Sequence, residues 1–240
     1  SILFRIALPF LPYRKPKILG SVKALPEILL KRKYNHVLII TDEGIMKLGL
    51  TKRLEKVLSE NNIKYTIYDK TVANPTTKNV AEAMDLFLSN NCNAIIGFGG
   101  GSSMDCAKAV GAKIAKPKQS LAKMKGILKV HKRIPLLIAV PTTAGTGSET
   151  TLAAVITDAE TRHKYAINDF PLIPRYAILD PKVTLSLPPF ITATTGMDAL
   201  THAVEAYIGN STTYGTRKDA LKAVELIFKN IDTVYTDGKN

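Results

Sequence analysis

The chain has 240 residues, 45% of them hydrophobic, with 33 Lys+Arg against 20 Asp+Glu for a formal charge of +13. That composition supports one large domain or two modest ones and excludes a disordered tail or a collagen-like repeat. No apolar run approaches the roughly eighteen residues of a membrane helix. Two cysteines, Cys92 and Cys106, exclude a disulfide framework and fit a reducing, cytoplasmic setting. The opening Ser1-Ile-Leu-Phe-Arg-Ile-Ala-Leu-Pro is apolar but is interrupted by Arg5 and Pro9, and lacks the order of segments that a signal peptide shows.

In chain order, Val37–Thr41 is a short β-branched run that reads as a buried strand ending at Asp42. Leu48–Glu60 carries Leu50, Leu54, Val57 and Leu58 at helical spacing. Ile63–Tyr68 alternates as a second strand, Val80–Leu88 returns to helical spacing, and Ala94–Phe98 is a third strand followed at once by glycines. Met104–Ala115 reads as a helix, Leu136–Val140 as a fourth strand, and Ala153–Thr157 and Tyr176–Leu179 as two more short strands. Beyond Pro188-Pro189 the pattern is helical alone, over Ile191–Ile208 and Thr216–Val234. The expected fold class is α/β: an N-terminal domain over residues 1–187 built on a parallel sheet covered on both faces, then the start of an all-helical domain over 188–240.

The surplus of positive charge is uneven. Lys116–Arg133 holds seven basic residues and no acid. With Pro117 and Gly126 inside it and no aromatic to stack a base, it reads as a solvated loop with a helical turn or two, not as a nucleic-acid site.

Three segments fall where strands end, the place where open parallel sheets bind ligands. In Gly97-Phe-Gly-Gly-Gly-Ser-Ser-Met-Asp105, consecutive glycines let a ligand approach the backbone, and the following helix offers free N–H groups that suit a phosphate. A tight turn with a Ser102–Asp105 capping box explains part of this segment without a ligand. Pro141-Thr-Thr-Ala-Gly-Thr-Gly-Ser-Glu149 offers hydroxyls and glycines around a polar ligand, or is a hydroxyl-rich turn. Asp42 can accept hydrogen bonds from the ribose hydroxyls of NAD and would repel the 2′-phosphate of NADP; it can equally cap the next helix. Further along, Asp198 and His202 lie four apart and so share a helix face, a plausible half of a metal site. Thr195 and Asp198 also fit a capping box, and a lone helical His is more often a bystander.

These segments, with Ala177-Ile-Leu-Asp-Pro181 and the run from Leu187-Pro-Pro through Gly196-Met-Asp-Ala-Leu-Thr-His-Ala-Val-Glu-Ala-Tyr207, resemble the iron-dependent (group III) alcohol dehydrogenase family. The resemblance covers essentially the whole chain. It implies a nucleotide-binding α/β domain, an all-helical domain and a homodimer, with no nucleic acid or membrane as partner. It also implies a hydride transfer between a small alcohol or aldehyde and NAD, NADP being less favoured. It places the cofactor at Asp42, Asn74, Gly99, Gly100, Gly101, Ser102, Asp105, Thr142, Thr143, Thr146, Lys164 and Leu179, and a metal, Fe2+ or else Zn2+, at Asp198 and His202. No catalytic residue is assigned.

The sequence departs from the family in one respect. The family's metal site uses one Asp and three His of the helical domain, and here no His follows His202. The remaining His36, His131 and His163 match positions that are not ligands. The chain therefore reads as a fragment truncated within the helical domain, one that can be inactive alone. Two other readings stay open: a glycerol dehydrogenase or dehydroquinate synthase-like relative on the same architecture, and a non-catalytic basic binding module.

Overall fold

In the computed structural model, which describes residues 12–210 and 212–239, six parallel strands form one sheet. They are β1 (Lys17–Leu19), β2 (His36–Ile40), β3 (Lys64–Tyr68), β4 (Ala94–Gly99), β6 (Leu136–Pro141) and β9 (Tyr176–Ile178). Their order across the sheet is β1-β9-β6-β4-β2-β3. Register pairs Val37 with Ala94 and Tyr65, and Ile95 with Leu137. The chain steps outward from β2 to β3, then returns to the other side of β2 as β4. That reversal opens a crevice at the carboxyl ends of β2 and β4.

The strands are apolar on both faces because both faces are covered. Leu38, Ile40, Ile95 and Leu137 point into one core with Val80, Phe87 and Val110. Val37, Ile39, Ile96, Ile138 and Val140 point into the other with Leu25, Leu54 and Leu58. At about 1.5–3 kcal/mol per fully buried aliphatic side chain, these two layers dominate the stability of the unit.

The helices on those faces are α1 (Leu25–Lys31), α2 (Glu43–Lys47), α3 (Lys52–Glu60), α4 (Thr77–Ser89) and α5 (Gly101–Ala115). In α4 a capping box starts the helix: Thr76 Oγ1 accepts from Asn79 N, and Asn79 Oδ1 accepts from Thr76 N. The helix expected over Leu48–Glu60 is shorter, starting only at Lys52. The first turn belongs to a connection between α2 and α3, where Gly49 adopts φ +66°, a left-handed conformation that ends α2.

A second, smaller sheet joins β5 (Gly126–Ile127), β8 (Lys164–Asn168) and β7 (Ala153–Thr157). The expected strand Ala153–Thr157 therefore lies outside the parallel sheet, paired antiparallel with β8. The basic stretch folds into α6 (Leu121–Met124), then β5 and a turn. Lysines at its start bind the loop backbone: Lys113, at the end of α5, donates through Nζ to Pro117 O and Gln119 O, and Lys116 Nζ donates to Lys129 O. Asp169 accepts from Val130 N and His131 N, which ties the stretch down.

The chain divides into two compact units. One is Arg14–Thr142 with Ser148–Val183. In the other, α7 (Pro189–Ile208) packs against α8 (Tyr214–Thr236), and Thr143–Gly147 belongs with them. The two helices approach closely at Gly196, where a Cβ would run into the Ile231 side chain.

Candidate cofactor and metal sites

At the end of β2 the backbone turns into α2, and Asp42 is the N-cap of that helix, its Oδ1 accepting from Ile45 N at 3.0 Å. The other oxygen, Oδ2, accepts from Ser103 Oγ at 3.3 Å. Ser103 lies on α5, just past the glycines that end neighbouring β4. Asp42 therefore does cap a helix, and its second oxygen faces the glycine turn.

Gly99 has φ +146°, and a Cβ there would fall 2.6 Å from Ser103 Oγ. Only glycine fits both the conformation and the space. The expected Ser102–Asp105 capping box is not formed. The helix begins at Gly101, so Ser102 is already inside it, and Gly100 is an N-cap with no side chain to offer. The first-turn N–H groups of α5 carry no side-chain cap and no acidic residue. That turn is the donor-rich, positive end of a helix dipole, the arrangement that receives a phosphate. Thr142 N donates to Gly99 O at 3.0 Å, which brings the start of the hydroxyl-rich segment to the same turn. In the other unit, Thr143 Oγ1 is buried without a hydrogen-bond partner among the described residues, as are the Thr41, Thr71 and Tyr165 hydroxyls elsewhere. A Cβ at Gly145 would collide with the Thr195 carbonyl.

Asp105, one turn into α5, faces inward. Its Oδ1 accepts from Ser148 Oγ at 2.7 Å and its Oδ2 from Val155 N at 3.1 Å. Burial raises its pKa, against the pull of Lys108 and of those two bonds. Lys108, fully buried, donates to Ser148 Oγ, Thr151 Oγ1 and Ala153 O at 3.0, 2.9 and 2.8 Å. Burial lowers its pKa to about 8, with Asp105 and Glu149 opposing the shift. Burial likewise raises Glu149.

Asn74 holds φ +59°, and its Oδ1 accepts from Lys164 Nζ at 2.6 Å, so two expected cofactor residues far apart in sequence meet. Their meeting is fixed by β7: Thr157 N donates to Pro75 O at 2.9 Å. Leu179 is half-exposed just past β9, with its N–H on Leu19 O.

On α7, Asp198 Oδ1 and His202 Nε2 are 3.9 Å apart, and both side chains are about half-exposed. The expected Thr195–Asp198 capping box is absent. The helix starts at Pro189, so Thr195 is interior and its hydroxyl donates back to Ile191 O. A carboxylate oxygen and an imidazole nitrogen this close suit one divalent ion. A catalytic site takes three or more protein donors. Among the described residues no group of three His, Cys, Asp or Glu is placed to hold a metal. The donor chemistry fits, and the count stops at two.

Residues 18–181 match the family model described as iron-containing alcohol dehydrogenase, and residues 192–240 match the C-terminal model of the Fe-containing alcohol dehydrogenase family. The chain belongs to the iron-containing alcohol dehydrogenase family. Alcohol dehydrogenase 4 of Saccharomyces cerevisiae is 37% identical over 221 residues, covering 92% of this chain and 58% of that protein. NAD-dependent methanol dehydrogenase of Bacillus methanolicus is 36% identical, with the same shares covered. The crystal structure of a 1,3-propanediol oxidoreductase superposes with a TM-score of 0.91 at 33% identity, covering 95% of this chain and 60% of that one. The chain thus spans somewhat over half the length of these iron-containing alcohol dehydrogenase relatives.

Ser103 and Ser148 lie within the motifs the sequence offers but are not distinguished there, and Lys108 lies outside them. A signal for Lys108 was present. It lies in a helix whose neighbours Met104, Cys106, Ala107, Ala109 and Val110 are all apolar and buried. A lysine inside such a run has to find partners.

Proposed function

We propose that this chain carries the nucleotide-binding part, over residues 1–187, and the first helices of the metal-binding part, over 188–240, of a metal-dependent oxidoreductase. The reaction is a hydride transfer between a small alcohol or aldehyde and NAD. The observation that carries this reading is the meeting of the uncapped α5 N-terminus, the Gly99 turn and Asp42 at the sheet's reversal point.

In this reading the N–H groups of Gly100, Gly101 and Ser102 hold the pyrophosphate. Gly99 keeps the approach clear, and the Asp42 carboxylate accepts from the ribose. Asp42 also selects NAD over NADP, because a 2′-phosphate beside a carboxylate is repelled. Thr142, Thr143 and Thr146 offer hydroxyls, Asn74 and Lys164 flank the ribose and nicotinamide side, and Leu179 gives an apolar wall. Asp198 and His202 are two donors to a divalent ion, iron or zinc, that takes its other donors from outside the described residues. When bound, the nicotinamide supplies the redox chemistry and the metal polarises the substrate oxygen. The protein's own work is alignment and charge. Among the described residues no helix is long and apolar enough to cross a membrane. Two free, buried cysteines support a cytoplasmic setting, and the family resemblance supports a homodimer.

The test is a fluorescence titration with NADH and NADPH of the wild type and of Asp42→Asn. Asparagine caps a helix as well as aspartate does, so the variant removes charge and keeps α2. The expected result is saturable NADH binding at least about ten-fold tighter than NADPH, with the preference lost in the variant. Equal binding of both nucleotides by the wild type, or binding of neither, overturns the reading.

A further inference from the structure

Lys108 has no side-chain role in the reading above, yet it is the one lysine among the fully buried large side chains of the described residues. Bringing an ammonium out of water is costly, and an apolar side chain would pack α5 against β7 as well. What an apolar side chain cannot supply is direction. Lys108 Nζ uses all three of its N–H donors, on Ser148 Oγ, Thr151 Oγ1 and Ala153 O. Asp105, three residues earlier and 4.0 Å away, holds the same stretch from the other side, accepting from Ser148 Oγ and from Val155 N. Ser148 is bonded to both side chains at once: it accepts from the lysine and donates to the aspartate. The segment that leaves β6 at Thr142, bonded to Gly99, therefore returns at Ser148 onto the helix that begins at the glycine turn.

We propose that Asp105 and Lys108 are positioning residues of the cofactor site. Acting through Ser148, they fix the returning end of the Thr142–Thr151 segment against α5, and they do not touch the nucleotide. This rests on the nucleotide-binding reading. The pairing explains why Asp105 and Lys108 sit among the buried apolar residues Met104, Cys106, Ala107, Ala109 and Val110 of the helix. It also gives Asp105 a task other than contact with the pyrophosphate: both of its oxygens already have partners in the chain.

The experiment measures NADH affinity by fluorescence, and thermal unfolding, for the wild type, Lys108→Met, Ser148→Ala and the double variant. Methionine keeps length and apolar volume and removes the donors. A buried charge replaced by a well-packed apolar group often leaves stability unchanged or raised, so the two readouts separate. The expected result is a folded Lys108→Met with unfolding temperature at or above the wild type and NADH affinity weaker by about ten-fold or more. Ser148→Ala weakens affinity too, and the double variant is no weaker than Lys108→Met alone, since both act through one hydroxyl. The charged groups facing Lys108 are Asp105 on its own helix and Glu149 on the returning segment. Wild-type affinity accordingly falls as pH passes about 8, and Lys108→Met is flat there.

Unchanged affinity in a folded Lys108→Met overturns the proposal and leaves the nucleotide reading standing. Effects of the two substitutions that simply add also overturn it. If Lys108→Met does not fold, Thr151→Val, which removes one acceptor and keeps the lysine, carries the test under the same criterion. A wild type that binds neither nucleotide removes both readings together.

Discussion

The glycine turn with α5 and the helix α7 each carry the polar groups proposed to meet a ligand, and the two are built in opposite ways. Most of α5 is buried, and the polar side chains Asp42, Ser103, Asp105 and Lys108 are tied into bonds from several elements. In α7 only Gly196 and Ala203 are buried over twenty residues, and in α8 only Ala220 over twenty-three. Phe190, Met197, Ile208, Leu221 and Phe228 are exposed there. Asp198 and His202 have each other and little else. One region carries its own core, so its polar geometry is fixed within this chain. The other has helices whose apolar faces are open, so its two donors are presented without being enclosed. Perturbations of the first region should therefore be large and cooperative, and those of the second small and local.

The largest effect is expected from Gly99→Val. A β-branched residue at φ +146° is strained by about 1–3 kcal/mol, and its Cβ meets Ser103. Overpacking adds a similar amount. Chemical denaturation should show a loss of about 4 kcal/mol, and NADH binding should vanish. A variant that keeps both would show the turn to be soft and would weaken the contrast with α7.

Lys108 provides the next test, through pH. Its pKa in the folded chain is lowered from 10.5 to about 8. Between those values the unfolded chain holds a proton that the folded chain has released, so stability rises with pH across that window. The burial penalty is full below about pH 8 and relieved towards 10.5, worth about 3 kcal/mol at 1.36 kcal/mol per unit. Urea unfolding at pH 7.5 and 10 should show that slope in the wild type and lose it in Lys108→Met. An unchanged slope in the variant would assign it to another group.

This buried lysine also marks where the sequence stopped being legible. Strands β2, β4 and β6 were readable because continuous apolar runs between turn residues have few other fates in an α/β chain. The pairings Asn74–Lys164 and Asp42–Ser103 follow from strand order, which the run of residues along the chain does not encode. The edge strand β1 escaped notice because Lys17–Leu19 is short, exposed and held only by β9. The capping boxes at Ser102–Asp105 and Thr195–Asp198 had the right spacing and the wrong start: α5 opens on Gly101, and α7 opens on Pro189, a residue suited to the first position of a helix. Asp198 and His202 share a face as the spacing required, since four residues along a helix is a local fact.

Two ion pairs give the finest version of the contrast. In the α/β unit, Arg53 Nη1 meets Asp180 Oδ2 at 3.0 Å, with the aspartate almost wholly buried and the arginine about one-third exposed. Asp180→Ala would leave the guanidinium short of its partner, with Ser21 as its remaining side-chain bond. Partial exposure of the arginine softens the penalty of a broken buried pair, to about 1–2 kcal/mol. The pair on α7 is longer, 3.9 Å, and open to water on both sides. Such pairs are worth well under about 1 kcal/mol. Asp198 also lies mid-helix, away from the end where a carboxylate gains from the dipole, and alanine is the better helix former by several tenths of a kcal/mol. Asp198→Ala should therefore leave unfolding unchanged or shift it slightly upward. A loss of 1 kcal/mol or more would mean that Asp198 serves the fold. A gain means the opposite: the carboxylate is held at that position at a small cost to the helix, as expected of a group whose use lies in what it binds.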